Sequence, residues 1–237
     1  MIELKGVTKV FDTHTAVDDL SLVVQKGSIF GLLGPNGAGK TTTMKMMVGL
    51  ERATSGTILV GSGEPTVRIV RERIGFMPES PHFYDHLTGI EFLRLCGELF
   101  HTQRIPESHY NDLLKQVGIH EAKDHMIHTY SKGMKQRLAF AQAIVNDPDY
   151  IFLDEPLDGL DPIGRLELKA VIRSLNERGK TFFFNSHILF DTEELCDNIG
   201  ILLRGTLLYS GEVESFTKGK TLEEQFVTTI KRESKSL

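Results

Sequence analysis

The stretch Gly34-Pro-Asn-Gly-Ala-Gly-Lys-Thr-Thr42 follows directly on the apolar run Ile29-Phe-Gly-Leu-Leu33, and this junction leaves few folds open. A short unbroken apolar run bounded by glycine reads as a buried strand, and the residues from Lys40 onward open a helix. Between them, Gly34, Gly37 and Gly39 let the backbone turn through conformations that other residues resist. The spacing G-x-x-x-x-G-K-[ST] in a strand–loop–helix context turns backbone N–H groups inward around an anion, with the positive end of the helix dipole behind it. Gly34, Pro35, Asn36, Gly37, Ala38, Gly39, Lys40, Thr41 and Thr42 are therefore the candidate phosphate-binding residues. Lys40 supplies a point charge for the β- and γ-phosphates, and the Thr41 hydroxyl is a candidate Mg²⁺ ligand. Taken alone, the motif is also compatible with a glycine-rich turn carrying an incidental lysine.

A second element narrows the choice. Tyr150-Ile-Phe-Leu-Asp154-Glu155 is an apolar run ending in two acids, which a buried strand has little structural reason to do. Asp154 suits a hydrated Mg²⁺, a hard cation that takes oxygen ligands near phosphates. Glu155, one residue further on, is the candidate base that polarises water for attack on the γ-phosphorus.

Strand patterns fall at Ile2–Thr8, Leu20–Val24, Ser28–Leu33, Thr57–Val60 and Ile74–Met77, with a helix over Lys40–Leu50. Thr88-Gly-Ile-Glu91 has capping-box spacing, and Ile90, Leu93, Cys96 and Phe100 recur at helical intervals. Helices are predicted over Glu107–Val117 and from Ser131. Strand signals return at Tyr150–Leu153, Thr181–Asn185, Ile199–Leu203 and Thr206–Tyr209, with helices Pro162–Arg178 and Ile188–Leu195 between the first three. This alternation implies a parallel sheet covered by helices. The chain reads as a single domain over 1–237: a sheet core from about 1–86 and 147–218, a helical insertion from about 87–146, and a polar tail at 219–237 expected to fray.

The net charge of −5 argues against a chain-wide nucleic-acid surface. No signal-peptide pattern opens the sequence, and no stretch approaches the ~20 apolar residues that cross a bilayer. A soluble cytoplasmic chain is expected, with any membrane role exercised through a partner. Cys96 and Cys196 are expected as reduced, buried thiols. His120, His125 and His128 are close in sequence without a completing ligand set, and are expected at the surface.

With the strand, loop and acid pair in hand, the chain resembles the ATP-binding subunits of ABC transporters over about Ile2 to Phe216. Tyr130-Ser-Lys-Gly-Met-Lys-Gln-Arg137 looks like that family's signature, Glu155-Pro-Leu-Asp-Gly-Leu-Asp161 like the Walker B glutamate and D-loop, and Asn185-Ser-His187 like the switch histidine. The resemblance implies a P-loop NTPase (RecA-like) core with a mainly parallel sheet, an N-terminal antiparallel β subdomain and an inserted α-helical subdomain. It implies that Phe11 stacks on adenine, that His187 touches the γ-phosphate, and that Asp161 belongs to the nucleotide site. Ser131 reads as an N-cap that leaves a helix N-terminus able to accept an anion. In the family that end, with Gly133, faces ATP held by a second cassette, identical or not. The implied activity is ATP hydrolysis with Mg²⁺, coupled to a membrane-spanning permease at the cytoplasmic face. Phe83, Tyr84 and Leu87, near a groove spanning Glu79–Phe100, are the apolar candidates for contact with that partner. A soluble ATPase without a permease is the alternative function, and an ATP-holding regulator a third.

The pattern is departed from in places. Lys132 and Met134 replace a glycine and a glutamine common in the signature, and Phe11 replaces a tyrosine. Glu79 stands where the family usually carries a glutamine. Glu79 and the Tyr-Ser-Lys-Gly-Met form resemble the ATPase subunits of exporters whose membrane halves are separate proteins. An ionised glutamate only accepts hydrogen bonds and repels a bare phosphate. Glu79 is thus a candidate metal contact that makes nucleotide binding dependent on Mg²⁺. Glu79→Gln should retain more nucleotide affinity than the parent at low Mg²⁺ in a magnesium titration; superimposable curves would contradict this.

Overall fold

The computed structural model describes residues 1–99 and 105–236. They divide into one unit made of Met1–Arg71 and Thr181–Leu237, and another made of Glu72–Lys180.

In the first unit, β1 (Ile2–Phe11) pairs antiparallel with β2 (His14–Val24) on one side and with β4 (Ser55–Val60) on the other. Both β1 and β2 run longer than the sequence pattern predicts. His14 to Asp19 lack regular apolar alternation; cross-strand pairing from Val7↔Leu20 to Phe11↔His14 holds them instead. A second sheet has the order β7–β3–β8–β9. It is formed by β3 (Ile29–Leu33), β7 (Thr181–Asn185), β8 (Asn198–Leu203) and β9 (Thr206–Glu212). β3 runs parallel to β7 and β8, and only β9 is antiparallel. Both β3 and β7 are buried along their whole length, as expected of parallel strands covered on both faces. Phe30 stacks on Phe183 with ring centroids 5.4 Å apart.

Helix α1 (Lys40–Met47) follows β3 and stops short of the predicted Leu50, because Gly49 adopts φ 76°. The one-turn helix α2 (Arg68–Arg71) is too short to give a periodic signal. Helix α7 (Leu189–Leu195) lies close over β3: a Cβ at Gly31 would sit 2.8 Å from Cys196 Sγ and 2.9 Å from Thr192 Cγ2. Cys196 is buried, and desolvation pushes its thiol well above the ordinary range.

The polar tail is helical rather than irregular. After α8 (Val213–Thr217), residues Leu222–Ser236 form helix α9. The sequence carries its start signal. Thr221 and Glu224 make a reciprocal capping box, Glu224 N–H donating to Thr221 Oγ1 (3.2 Å) and Thr221 N–H to Glu224 Oε2 (3.1 Å). Leu222 is fully buried, and its N–H donates to Glu193 Oε2 of α7 at 3.1 Å.

In the second unit, β5 (Ile74–Met77) and β6 (Tyr150–Asp154) pair in parallel. Helix α3 (Gly89–Glu98) opens on the predicted Thr88–Glu91 capping box and buries Ile90, Phe92 and Leu93; Phe100 lies outside the described residues. Cys96 on α3 is half-buried rather than buried, and its thiol is pushed up to about 11 by desolvation. Helix α4 (Glu107–Gln116) buries Tyr110, Leu113 and Leu114, and Arg94 of α3 meets Glu107 at 2.7 Å. Helices α5 (Lys132–Ile144) and α6 (Pro162–Glu177) flank β6 in sequence. No helix among the described residues is long and apolar enough to cross a membrane.

Removing the α3 cap by Thr88→Ala should destabilise the protein by about 1 kcal/mol, read as a lower midpoint in urea unfolding. Hydrogen bonds from the Thr88 backbone and side chain hold the Glu91 carboxyl below its ordinary value. A depressed acid contributes stability above its unfolded value, lost as pH falls through the folded one. The gap between Thr88→Ala and the parent should therefore narrow on acidification.

Candidate functional site

The loop between β3 and α1 is built around one cation. Lys40 is only 9% exposed, and its ammonium donates to the carbonyls of Gly34 (2.7 Å) and Pro35 (3.2 Å). The loop therefore closes back on its own lysine. Gly37 and Gly39 take φ 78° and 105°, in the left-handed region where glycine is favoured. Gly39 occupies the N-cap of α1 and gives it no side-chain hydrogen bond, so the first N–H groups of the helix receive no cap from it. Thr43, fully buried, donates its hydroxyl to Gly39 O at 2.9 Å. Gly205 N–H, in the turn between β8 and β9, donates to Ala38 O at 2.9 Å and anchors the loop from outside. Pro35, Asn36 and Gly37 form an exposed rim, while Thr41 and Thr42 are half-buried. The loop thus sets a lysine at a helix start that its N-cap residue leaves without a side-chain hydrogen bond, an arrangement that favours an anion.

Also in the first unit, Phe11 ends β1 with 42% of its surface exposed. Lys9 Nζ lies 4.5 Å from its ring centroid and donates to Glu51 Oε2 (3.0 Å) and Arg52 O (2.8 Å). Sequence reasoning missed Lys9, since a single lysine in a half-exposed strand carries no signal of such a contact. His187 is exposed beyond the end of β7, next to a buried Ser186 whose Oγ accepts from Ile188 N–H at 3.0 Å.

The second unit gathers the acids and the capped helix. Asp154 is the last residue of β6 and is 3% exposed. Glu155 follows, half-buried, in the left-handed region at φ 53°. A non-glycine residue held there is strained by about 1–3 kcal/mol, a conformation Glu155 shares with Asp12, Asp19, Asp147, Arg204 and Lys218. Ser131 is the N-cap of α5, its hydroxyl accepting from Met134 N–H at 3.2 Å. Gly133 in the first turn is half-buried. Asp161 caps α6, accepting from Gly164 N–H at 2.7 Å. Glu79 is exposed just past β5.

Of the apolar candidates for a partner contact, Tyr84 is 57% exposed. Phe83 and Leu87 are half-buried instead, Phe83 with its ring edge against Phe92 at 5.2 Å. His125 and His128 are exposed and His120 is half-buried. Among the described residues no group of three or more His, Cys, Asp or Glu is disposed as a metal cage.

Residues 17–158, more than half of the chain, match the ABC transporter family. The chain belongs to the ABC transporter family. An uncharacterized ABC transporter ATP-binding protein of Synechocystis is 49% identical over 226 residues, covering 90% of this chain and 63% of that protein, so the chain spans less than two thirds of that relative's length. The lantibiotic transport ATP-binding protein SrtF of Streptococcus pyogenes is 34% identical over 230 residues, 97% of each chain. A solved ATP-binding subunit of an ABC transporter superposes with a TM-score of 0.89 at 27% identity, covering 97% of this chain and 99% of that one.

The loop's glycines separate by what surrounds them. A Cβ at Gly39 would run into the Ala16 carbonyl, whereas one at Gly37 would meet nothing within 4 Å. Gly37→Ala should destabilise by about 1 kcal/mol, the backbone term alone. Gly39→Ala should lose more than Gly37→Ala in urea unfolding, and equal midpoints would contradict the close approach.

Proposed function

We propose that the chain binds and hydrolyses ATP as a cassette of an ABC transporter, paired with a second cassette and with a membrane-spanning permease at the cytoplasmic face. The observation that carries this reading is the Lys40 loop: a nearly buried ammonium at an uncapped helix start, framed by left-handed glycines. Family membership supports it, and SrtF is named for transport. Export is favoured over import by Glu79 and by the Tyr-Ser-Lys-Gly-Met form of the signature.

In this reading Gly34 to Thr42 hold the triphosphate through backbone N–H groups and Lys40, and Phe11 offers its open ring face to the base. Thr41 and Asp154 present the hard oxygen donors that Mg²⁺ takes, with Glu79 as a further carboxylate. Two or three protein oxygens suffice, because Mg²⁺ keeps waters and phosphate oxygens in its remaining positions. Bound Mg²⁺ would neutralise charge on the β- and γ-phosphate oxygens. Glu155 takes the proton from the attacking water, and its strained backbone aims a carboxylate that a relaxed conformation would turn elsewhere. His187 stabilises charge on the γ-phosphate. Ser131 and Gly133, at the N-terminal end of α5, face the nucleotide of the paired cassette, with Asp161 alongside. ATP closes the pair and hydrolysis releases it, which changes access through the permease.

Glu155→Gln keeps the shape and removes the base. It should bind ATP as tightly as the parent, lose turnover by about a hundredfold or more, and accumulate as a nucleotide-bound dimer in size-exclusion chromatography. Turnover at the parental rate would overturn the assignment of Glu155.

A further inference from the structure

Two side chains on one face of α5 grip the loop that follows β6. Lys132 and Gln136 stand four residues apart, the spacing that aligns side chains on a helix. The Lys132 ammonium donates to Asp158 Oδ2 at 2.7 Å, and the Lys132 stem passes close over Gly159. The Gln136 carboxamide, 6% exposed, donates from Nε2 to the backbone carbonyl of Glu155 at 2.9 Å. That carbonyl belongs to the residue held at φ 53°. The ion pair at Lys132 is exposed, with side chains 70% and 47% accessible, so it is a weak tether. The Gln136 bond is part-buried, and the same carbonyl also accepts from Asp158 N–H at 3.2 Å, so Gln136 is the side-chain half of a two-donor grip on Glu155. Arg137, next on the helix, donates to Val117 O at 2.8 Å and fixes α5 from its other side.

We propose that Gln136 is a positioning residue: it holds the backbone of Glu155 in its strained conformation and ties it to the helix that Ser131 caps. A ligand that shifts the start of α5 therefore moves the Glu155 carboxylate through one rigid helical turn and one hydrogen bond. Lys132 acts as the secondary tether through Asp158. This inference rests on the reading of Glu155 as the base.

Gln136→Met preserves length and packing and removes the donor. Turnover should fall about tenfold, while the dissociation constant of a fluorescent ATP analogue and the KM for ATP stay within about twofold of the parent. Lys132→Met should show the same split with a smaller fall. In the background of Glu155→Gln, adding Gln136→Met should lower the residual rate no further, because both act through one group. Parental turnover in Gln136→Met overturns the proposal. So does a parallel loss of analogue binding and turnover, which would mean that Gln136 serves only the fold, and so does a full tenfold further loss in the double variant. If Glu155→Gln alone turns over at the parental rate, the reading of the base has failed instead.

Discussion

A lysine withdrawn from water is the constraint on which the β3–α1 region depends. Lys40 keeps 9% of its surface and leans on the carbonyls of Gly34 and Pro35. Taking an ammonium out of water is unfavourable unless donors, acceptors and charges around it replace the solvent. The loop is shaped to do so: the carbonyls of Gly34 and Pro35 meet the ammonium, and Gly205 and Thr43 pin the far end of the loop at Ala38 and Gly39. An anionic ligand at the start of α1 would complete that arrangement, because a helix N-terminus favours negative charge.

The residues proposed to do chemistry share a placement. Gly34 follows β3, Asp154 and Glu155 close β6, and His187 comes just past β7. Each lies at or just past the carboxyl end of a strand paired in parallel, where open α/β sheets bind ligands. Glu155, just past β6, is held at φ 53°, its carbonyl accepting from both Gln136 Nε2 and Asp158 N–H.

What was legible in the sequence followed the strength of local signals. β7 lies where its unbroken apolar run placed it, and α3 starts at its capping box, because burial and capping are written in adjacent residues. The first half of β2 was missed since pairing with β1, and no apolar alternation, makes it a strand. The helix from Leu222 was missed although Thr221 and Glu224 announce it: a polar surface was read as disorder when one buried leucine and a cap were enough to dock it. At the candidate site, the proposed residues are marked by motif, whereas their supports are not. Lys40, Asp154 and Glu155 stand out by motif, whereas Gln136, Lys9 and Gly205 act through contacts between residues distant in the chain, which no spacing encodes.

The account stands most directly on the equilibrium affinity of Lys40→Met for a fluorescent ATP analogue, measured beside the parent with unfolding curves for both. Met fills the same space without charge, so the fold should persist while affinity falls at least tenfold, the scale of one lost hydrogen-bonded charge. A folded Lys40→Met protein that binds the analogue as tightly as the parent would contradict the claim that this loop is a phosphate cradle.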